Sequence, residues 1–412
     1  MPKTSLTPTP HPTLRRADLF PRRGNDPRAL CGNDALHLTY NARGALYQLL
    51  NAMPEDAGKA ILVPAFHCTA LVEPIARSRF RAIFYRVKPD LTIDLDDLRS
   101  KLTRDIALIV VIHFFGFPAD LSPILALAEK VGCYVLEDCA HSFLTLTNGH
   151  AIGDRGDFSI YSYYKTVPSL FGGALRINRR KLAFPPSSKS IPAKHSAVIT
   201  KRLLEQLLEN SGDGWLKRSV QALENFRVTR KLQKARASTA ALSSFVDDPY
   251  LFREGLALAK IPALCERIVM SSDWQAIVSS RRRNYELLNA ALEENSLLHK
   301  LIPALPKGVC PWAYPVVLHD RARFEHQLRD RGVPLFTFGE ILHPLLQSAD
   351  ESARRDAEDL SQRLLALPVH QNLSAQDVTH YAQIINGFFA GANLSLPGSA
   401  PEIARQQTVG MR

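Results

Sequence analysis

Long apolar runs are missing from this chain: no stretch approaches the ~18–20 residues that a membrane span needs. The N-terminus also lacks the basic, apolar and small-residue succession of a signal peptide. Cysteine is scarce. There are six in 412 residues (Cys31, Cys68, Cys133, Cys139, Cys265 and Cys310), and none stands at metal-ligand spacing. That argues against a zinc module and a disulfide scaffold. It leaves the expectation of a cytoplasmic protein with no metal site, whose reduced thiols serve mostly as small buried apolar groups. Acidic residues are outnumbered, 40 Asp and Glu against 51 Lys and Arg, for a formal net charge of +11. Much of the excess lies in residues 176–181 and 194–236. A basic surface attracts anions, but no zinc-finger or RNA-binding signature accompanies it. The plainer reading is a solvated helix face, with nucleic acid not expected as a partner and no membrane span.

Residues 1–27 are rich in Pro, Thr and Arg, with Pro2, Pro8, Pro10 and Pro12 breaking any helix. They read as a disordered or extended arm. Strands are expected at 36–40, 60–63, 80–87 and 107–111 and in a run ending at Asp138, with helices between them. That alternation implies an α/β fold with a mostly parallel sheet flanked by helices, and ligands off the carboxyl ends of the strands. Further on, helices are expected at 200–210, 215–228 and 254–294, strands at 314–318 and 334–338, and helices at 321–331, 356–365 and 374–389. The implied division is a large domain, 28–250, with a helical insertion at about 195–240. A linker helix and a smaller C-terminal α/β domain follow, 251–391, and then a disordered tail, 392–412.

The densest chemistry lies between Val131 and Gly173. A short apolar run ends in Glu137 and Asp138, and His141 follows three residues after Asp138. Lys165 comes twenty-seven residues after Asp138. It follows the hydroxyl cluster Tyr161, Ser162, Tyr163 and Tyr164 and precedes the pair Gly172-Gly173. Taken singly, Asp138 reads equally well as a helix cap and Lys165 as a surface lysine. Together, an acid at a strand end can hold a protonated heterocyclic nitrogen, and a lysine can form a Schiff base.

These residues resemble the DegT/DnrJ/EryC1/StrS family of pyridoxal-phosphate-dependent sugar aminotransferases. The counterparts are Glu137-Asp138-Cys139-Ala140-His141, Gly156-Asp157 with Tyr161-Ser162-Tyr163, Lys165, and Gly172-Gly173. Pro64 to Ala70, His113 to Asp120, the 281–285 segment and Leu367-Pro368-Val369-His370 extend the resemblance from about residue 38 to 389. It implies a fold type I transferase acting as a homodimer. The amino donor would be an amino acid, glutamate foremost, and the acceptor a keto-sugar, nucleotide-linked, in polysaccharide or glycoconjugate biosynthesis. It implies Lys165 as the catalytic residue, and Ala42, Arg43, Cys68, Asp138, His141 and Ser162 around the cofactor.

The chain departs from the family pattern at several positions. Ala42 stands for a glycine and Arg43 for a threonine, so that Arg43 would either supply a charged contact to phosphate or point out to solvent. Cys68 stands where the family often has an aromatic ring, a role then open to Phe66 or His67. His370 reads either as pocket lining or as a turn residue. Ser162 to Lys165 is three residues where the family has five; counting five reaches Val167. A subunit-crossing asparagine in an N-x-R-M motif is not found. Two alternatives therefore stay open: sugar dehydration, which members perform with histidine in place of the lysine, and a regulatory or scaffolding role on the same fold.

Overall fold

A computed structural model describes residues 9–20, 36–179, 189–210 and 252–393. The helix expected at 215–228, the tail from 394 and the segments 1–8 and 21–27 of the arm lie outside the described residues. The first nine strands are β1 (Leu36–Thr39), β2 (Ala60–Pro64), β3 (Arg81–Tyr85), β4 (Ile106–Ile112), β5 (Tyr134–Asp138), β6 (Leu146–Thr147), β7 (His150–Ala151), β8 (Phe158–Ser162) and β9 (Gly173–Ile177). All but the β6–β7 hairpin form one seven-stranded sheet in the order β1-β9-β8-β5-β4-β2-β3. The five strands from β8 to β3 are parallel, and β9 runs antiparallel to both of its neighbours.

β4 reads IALIVVI, and all seven residues are buried. An unbroken apolar run is what a central parallel strand needs, because helices cover both of its faces. The helices Ala42–Ala52, Thr69–Ala76, Leu95–Lys101 and Ser122–Val131 make the crossovers. A second, antiparallel sheet has the order β10 (Leu298–Lys300), β11 (Ala313–Leu318), β12 (Leu364–Pro368). Tyr285, Leu288, Tyr314, Val316, Phe324 and Phe389 belong to its core.

Three expectations need correction. The helix expected at 254–294 is three helices: Glu254–Ala257, Ala263–Ser271 and Trp274–Ala291. The first ends at Ala257, Pro262 directly precedes the second, and Asp273 caps the third by accepting from Ala276 N–H. The strand expected at 334–338 is a single bridge, Phe336 to Ala366; Gly339 then turns the chain at φ +68°. The helix expected from 200 starts earlier, at Ala193, directly after Pro192.

The described part of the arm is laid against the protein. Leu14 is buried. Asn372 Nδ2 donates to the Thr13 carbonyl at 2.8 Å and Ser271 Oγ to the Asp18 carbonyl at 2.7 Å.

Several buried histidines are held neutral by this packing. His67 is fully buried; its Nδ1 donates to the Ala65 carbonyl at 2.8 Å, and its Nε2 accepts from His343 N–H. Burial pulls it down to about 4, against the opposing backbone bonds. Burial likewise takes His370 to about 3. Unfolded histidine titrates near ~6.5, so below that pH the unfolded chain takes up protons that the fold refuses. The stability is therefore complete above about 6.5 and falls as the pH drops toward the folded values, on the order of 3 kcal/mol for each such histidine. Urea midpoints should fall steadily from pH 7 to pH 5, and His67→Gln should flatten part of that slope. A midpoint independent of pH over this range would contradict the assignment.

Candidate active site

The carboxyl ends of β1, β2, β4, β5 and β8 converge on a cavity of about 280 Å³. It is small for a ligand pocket, where ~300–1,000 Å³ is usual. Register fixes which residues arrive there, because Ile112, Asp138 and Ile160 lie side by side across β4, β5 and β8. All three line the cavity. Neighbours along a strand face opposite ways, so Glu137 points away from it. Glu137 accepts from the N–H groups of Gly153, Arg155 and Gly156 and pairs with His113 Nε2 at 2.9 Å. Burial pushes its carboxyl up, but the hydrogen bonds from His113 and these amides outweigh that, and the net shift is downward. His113 and Glu137 thus brace the strand from behind.

Asp138 has no comparable set of donors. Its Oδ1 accepts from Ala140 N–H at 2.9 Å. Burial raises its carboxyl above the usual range, only partly offset by Lys165 and the Ala140 amide. A wholly buried carboxylate with so little compensation is costly on its own. It is relieved by a cationic group brought into the cavity.

Lys165 ends a 3-10 turn, Tyr163–Lys165, that follows β8 directly. This single turn brings Lys165 to the cavity three residues after Ser162. Ser162 and Lys165 both line the cavity, whereas Val167 is fully buried in an apolar cluster. The Lys165 Nζ stands over the Trp312 ring, 5.0 Å from its centroid. His141 stacks on the same Trp312 ring, with centroids 3.9 Å apart, and meets Phe338 edge-on at 4.6 Å. Burial, with the Lys165 charge adding, holds His141 well below its usual value and neutral. Its Nδ1 accepts from Phe115 N–H at 3.3 Å, which leaves the ring proton on Nε2. Phe115 makes that bond from φ +54°, and cavity-lining Leu170 sits at φ +61°. Left-handed non-glycine residues of this kind carry strain, which collects at functional sites.

The helix Ala42–Ala52 begins against the cavity, with Ala42 and Arg43 on its wall. Asn41 caps it by accepting from Gly44 N–H at 2.8 Å. The Gly172-Gly173 pair makes room for this arrangement: a Cβ on Gly173 would stand 2.4 Å from Ala42 N, and Gly172 donates to the Tyr40 carbonyl from φ +127°. Cys68 lines the opposite side. All seven residues singled out in the sequence therefore meet in one cavity. Phe66, His67, His113 and His370 are not among its lining residues; His370 Nε2 instead donates to the arm at the Thr9 carbonyl, 2.7 Å away.

Tyr164, from the hydroxyl cluster, also lines the cavity, and Arg202, Arg253 and Phe338 join it without having been singled out. Phe338 and Trp312 reach the site from the side of the antiparallel sheet, so no local pattern marks them.

Residues 28–183 match the profile of the DegT/DnrJ/EryC1/StrS aminotransferase family. Over that segment, well under half of its length, the chain is similar to the members of that family. Among curated members it resembles the GDP-perosamine synthase of Vibrio cholerae, 28% identical over 34% of this chain and 38% of that one. It also resembles the dTDP-3-amino-3,6-dideoxy-alpha-D-galactopyranose transaminase of Aneurinibacillus thermoaerophilus, 32% identical over 35% of this chain and 40% of that one. The matched part thus spans less than half the length of those relatives. The likeness in fold reaches further. The putative sugar aminotransferase Spr1654 of Streptococcus pneumoniae, solved in its PMP form, superposes with a TM-score of 0.66 over 94% of this chain and 99% of that one, at 14% identity.

Asp138→Asn should leave the fold intact, because it removes an under-compensated buried charge. The thermal midpoint should hold or rise, while affinity for a cationic ring falls about tenfold or more, the equivalent of ~1.4 kcal/mol. Calorimetry with pyridoxal phosphate reads both; unchanged affinity would remove Asp138 from the site.

Proposed function

We propose that the chain is a pyridoxal-phosphate-dependent aminotransferase that moves an amino group from an amino acid, glutamate foremost, to a nucleotide-linked keto-sugar. The observation that carries this reading is the single cavity shared by Lys165, Asp138 and the start of the helix Ala42–Ala52. The residues suit the cofactor. Asp138 is a buried carboxylate in need of a cationic partner, and a protonated pyridine nitrogen is one. The start of that helix, with the Arg43 guanidinium beside it, suits a phosphate. His141, neutral and with its proton on Nε2, is a donor for a ring oxygen.

Pyridoxal phosphate, when bound, supplies an electron sink for charge developing on a substrate carbon. The chain's own residues then do the rest. Asp138 keeps its partner nitrogen charged. Lys165 Nζ would be the base that takes a proton from the donor carbon and carries it to the cofactor carbon, and its lone pair is the one able to hold the cofactor covalently. The walls of Phe171, Leu170 and Phe338 exclude water. Arg202 and Arg253 add positive charge to the lining, which suits an acceptor carrying phosphates. Retention of a lysine at 165 favours transamination over the dehydration that relatives perform with histidine.

The reading includes a homodimer working in the cytoplasm. Among the described residues no helix is long and apolar enough to cross a membrane.

Protein loaded with pyridoxal phosphate and mixed with glutamate, without acceptor, should release 2-oxoglutarate in proportion to the cofactor bound. Lys165→Ala should release none. Offering keto-sugar nucleotides afterwards should consume the amine. If the fully loaded protein yields no 2-oxoglutarate, and no oxo acid from any other amino acid, the reading fails.

A further inference from the structure

Arg281 has no role in the chemistry above, yet its surroundings single it out. It sits on the buried stripe of the helix Trp274–Ala291, in step with Trp274, Ile277, Asn284 and Leu288, and is itself 0% exposed. A leucine would complete that stripe at no electrostatic cost, whereas a buried guanidinium loses hydration worth several kcal/mol. The groups that accept its hydrogen bonds are all neutral. Nη2 donates to the carbonyls of Lys165 and Thr166, both at 3.2 Å. Nη1 donates to those of Pro311 and Trp312, at 3.3 and 3.0 Å. Nε donates to Gln371 Oε1 at 3.2 Å, and Gln371 Nε2 turns back to the Thr166 carbonyl at 3.0 Å. The rigid five-donor fork of arginine is filled, which lysine cannot imitate.

These bonds converge on one side chain. The Lys165 and Thr166 carbonyls belong to the turn that carries Lys165, and the Trp312 carbonyl belongs to the residue whose ring lies under the Lys165 Nζ. One guanidinium therefore fixes both the backbone from which the amine extends and the surface on which it rests. The bridge crosses from the seven-stranded sheet to the start of β11 and to the loop after β12. We infer that Arg281 is a positioning residue that sets where the Lys165 amine stands in the cavity. The inference rests on the reading of Lys165 as the reacting amine, and it adds a mechanical link between the antiparallel sheet and that amine.

Arg281→Lys tests it, since it keeps the charge and loses the fork, with Gln371→Ala as a milder partner that leaves the arginine in place. The first readout is hydrogen exchange in the cofactor-free protein, followed at Thr166 and Val167, whose amides close the turn on the Tyr163 carbonyl, and at β4 as a control. Arg281→Lys should exchange about tenfold faster or more at the turn with β4 unchanged, and Gln371→Ala should fall between it and the wild type. The second readout is the single-turnover rate with glutamate. It should drop by about 10- to 100-fold, with half-saturation moving by less than about threefold, as expected for a misplaced group rather than lost binding.

Wild-type exchange at the turn in Arg281→Lys would overturn the inference. So would faster exchange spread equally over β4, with a rate loss that only follows the folded fraction. If the wild type does not react with amino donors at all, the aminotransferase reading fails, while the exchange comparison still decides whether Arg281 holds the turn.

Discussion

Neighbouring residues on a strand must face opposite ways, and β5 ends in two acids. That constraint divides the site from its scaffold. Glu137 faces three backbone amides and His113 and is compensated within the fold. Asp138, one residue on, faces the cavity and is compensated by little besides the Ala140 amide and the Lys165 charge. The sheet thus holds one carboxylate for itself and presents the other to whatever enters. Everything else at the site is arranged around the second acid: the turn that aims Lys165, the aromatic wall that keeps His141 neutral, and the helix start that carries Ala42 and Arg43.

Much of this was legible because it is local. The seven-residue apolar run of β4, the paired acids, the lysine and the Gly172-Gly173 pair are short patterns whose physics acts within a few residues. Gly173 shows a longer reach: it is needed because the Asn41–Ala42 backbone that opens the helix Ala42–Ala52, far earlier in the chain, lies against it. The shortened Ser162–Lys165 interval was legible as an anomaly, and it holds a single 3-10 turn.

Other parts were not legible, for equally physical reasons. Phe338 reaches the cavity, and Trp312 the side chains of Lys165 and His141, from across the fold, and a one-dimensional pattern carries no record of such contacts. The stretch 254–294 reads as one helix on apolar periodicity, yet the chain leaves the first helix after Ala257, and Pro262 and the Asp273 cap mark the starts of two more. Arg281 stood in plain view within a run of three arginines. Its place in the apolar stripe, in step with Ile277 and Leu288, is a signal that periodicity contains but that an arginine disguises.

The departures from the family pattern alter contacts without emptying the site. Arg43 brings a guanidinium where the relatives' pattern has a hydroxyl, and Cys68 gives a smaller wall where a ring is usual. Both line the same cavity as Asp138 and Lys165. The central claim is that Lys165 is the amine that holds the cofactor. Borohydride reduction of the pyridoxal-phosphate-loaded protein, followed by peptide mapping, tests it most directly. The account predicts a single pyridoxyl group, on the peptide containing Lys165. A label on another lysine, or none at full cofactor occupancy, would contradict it.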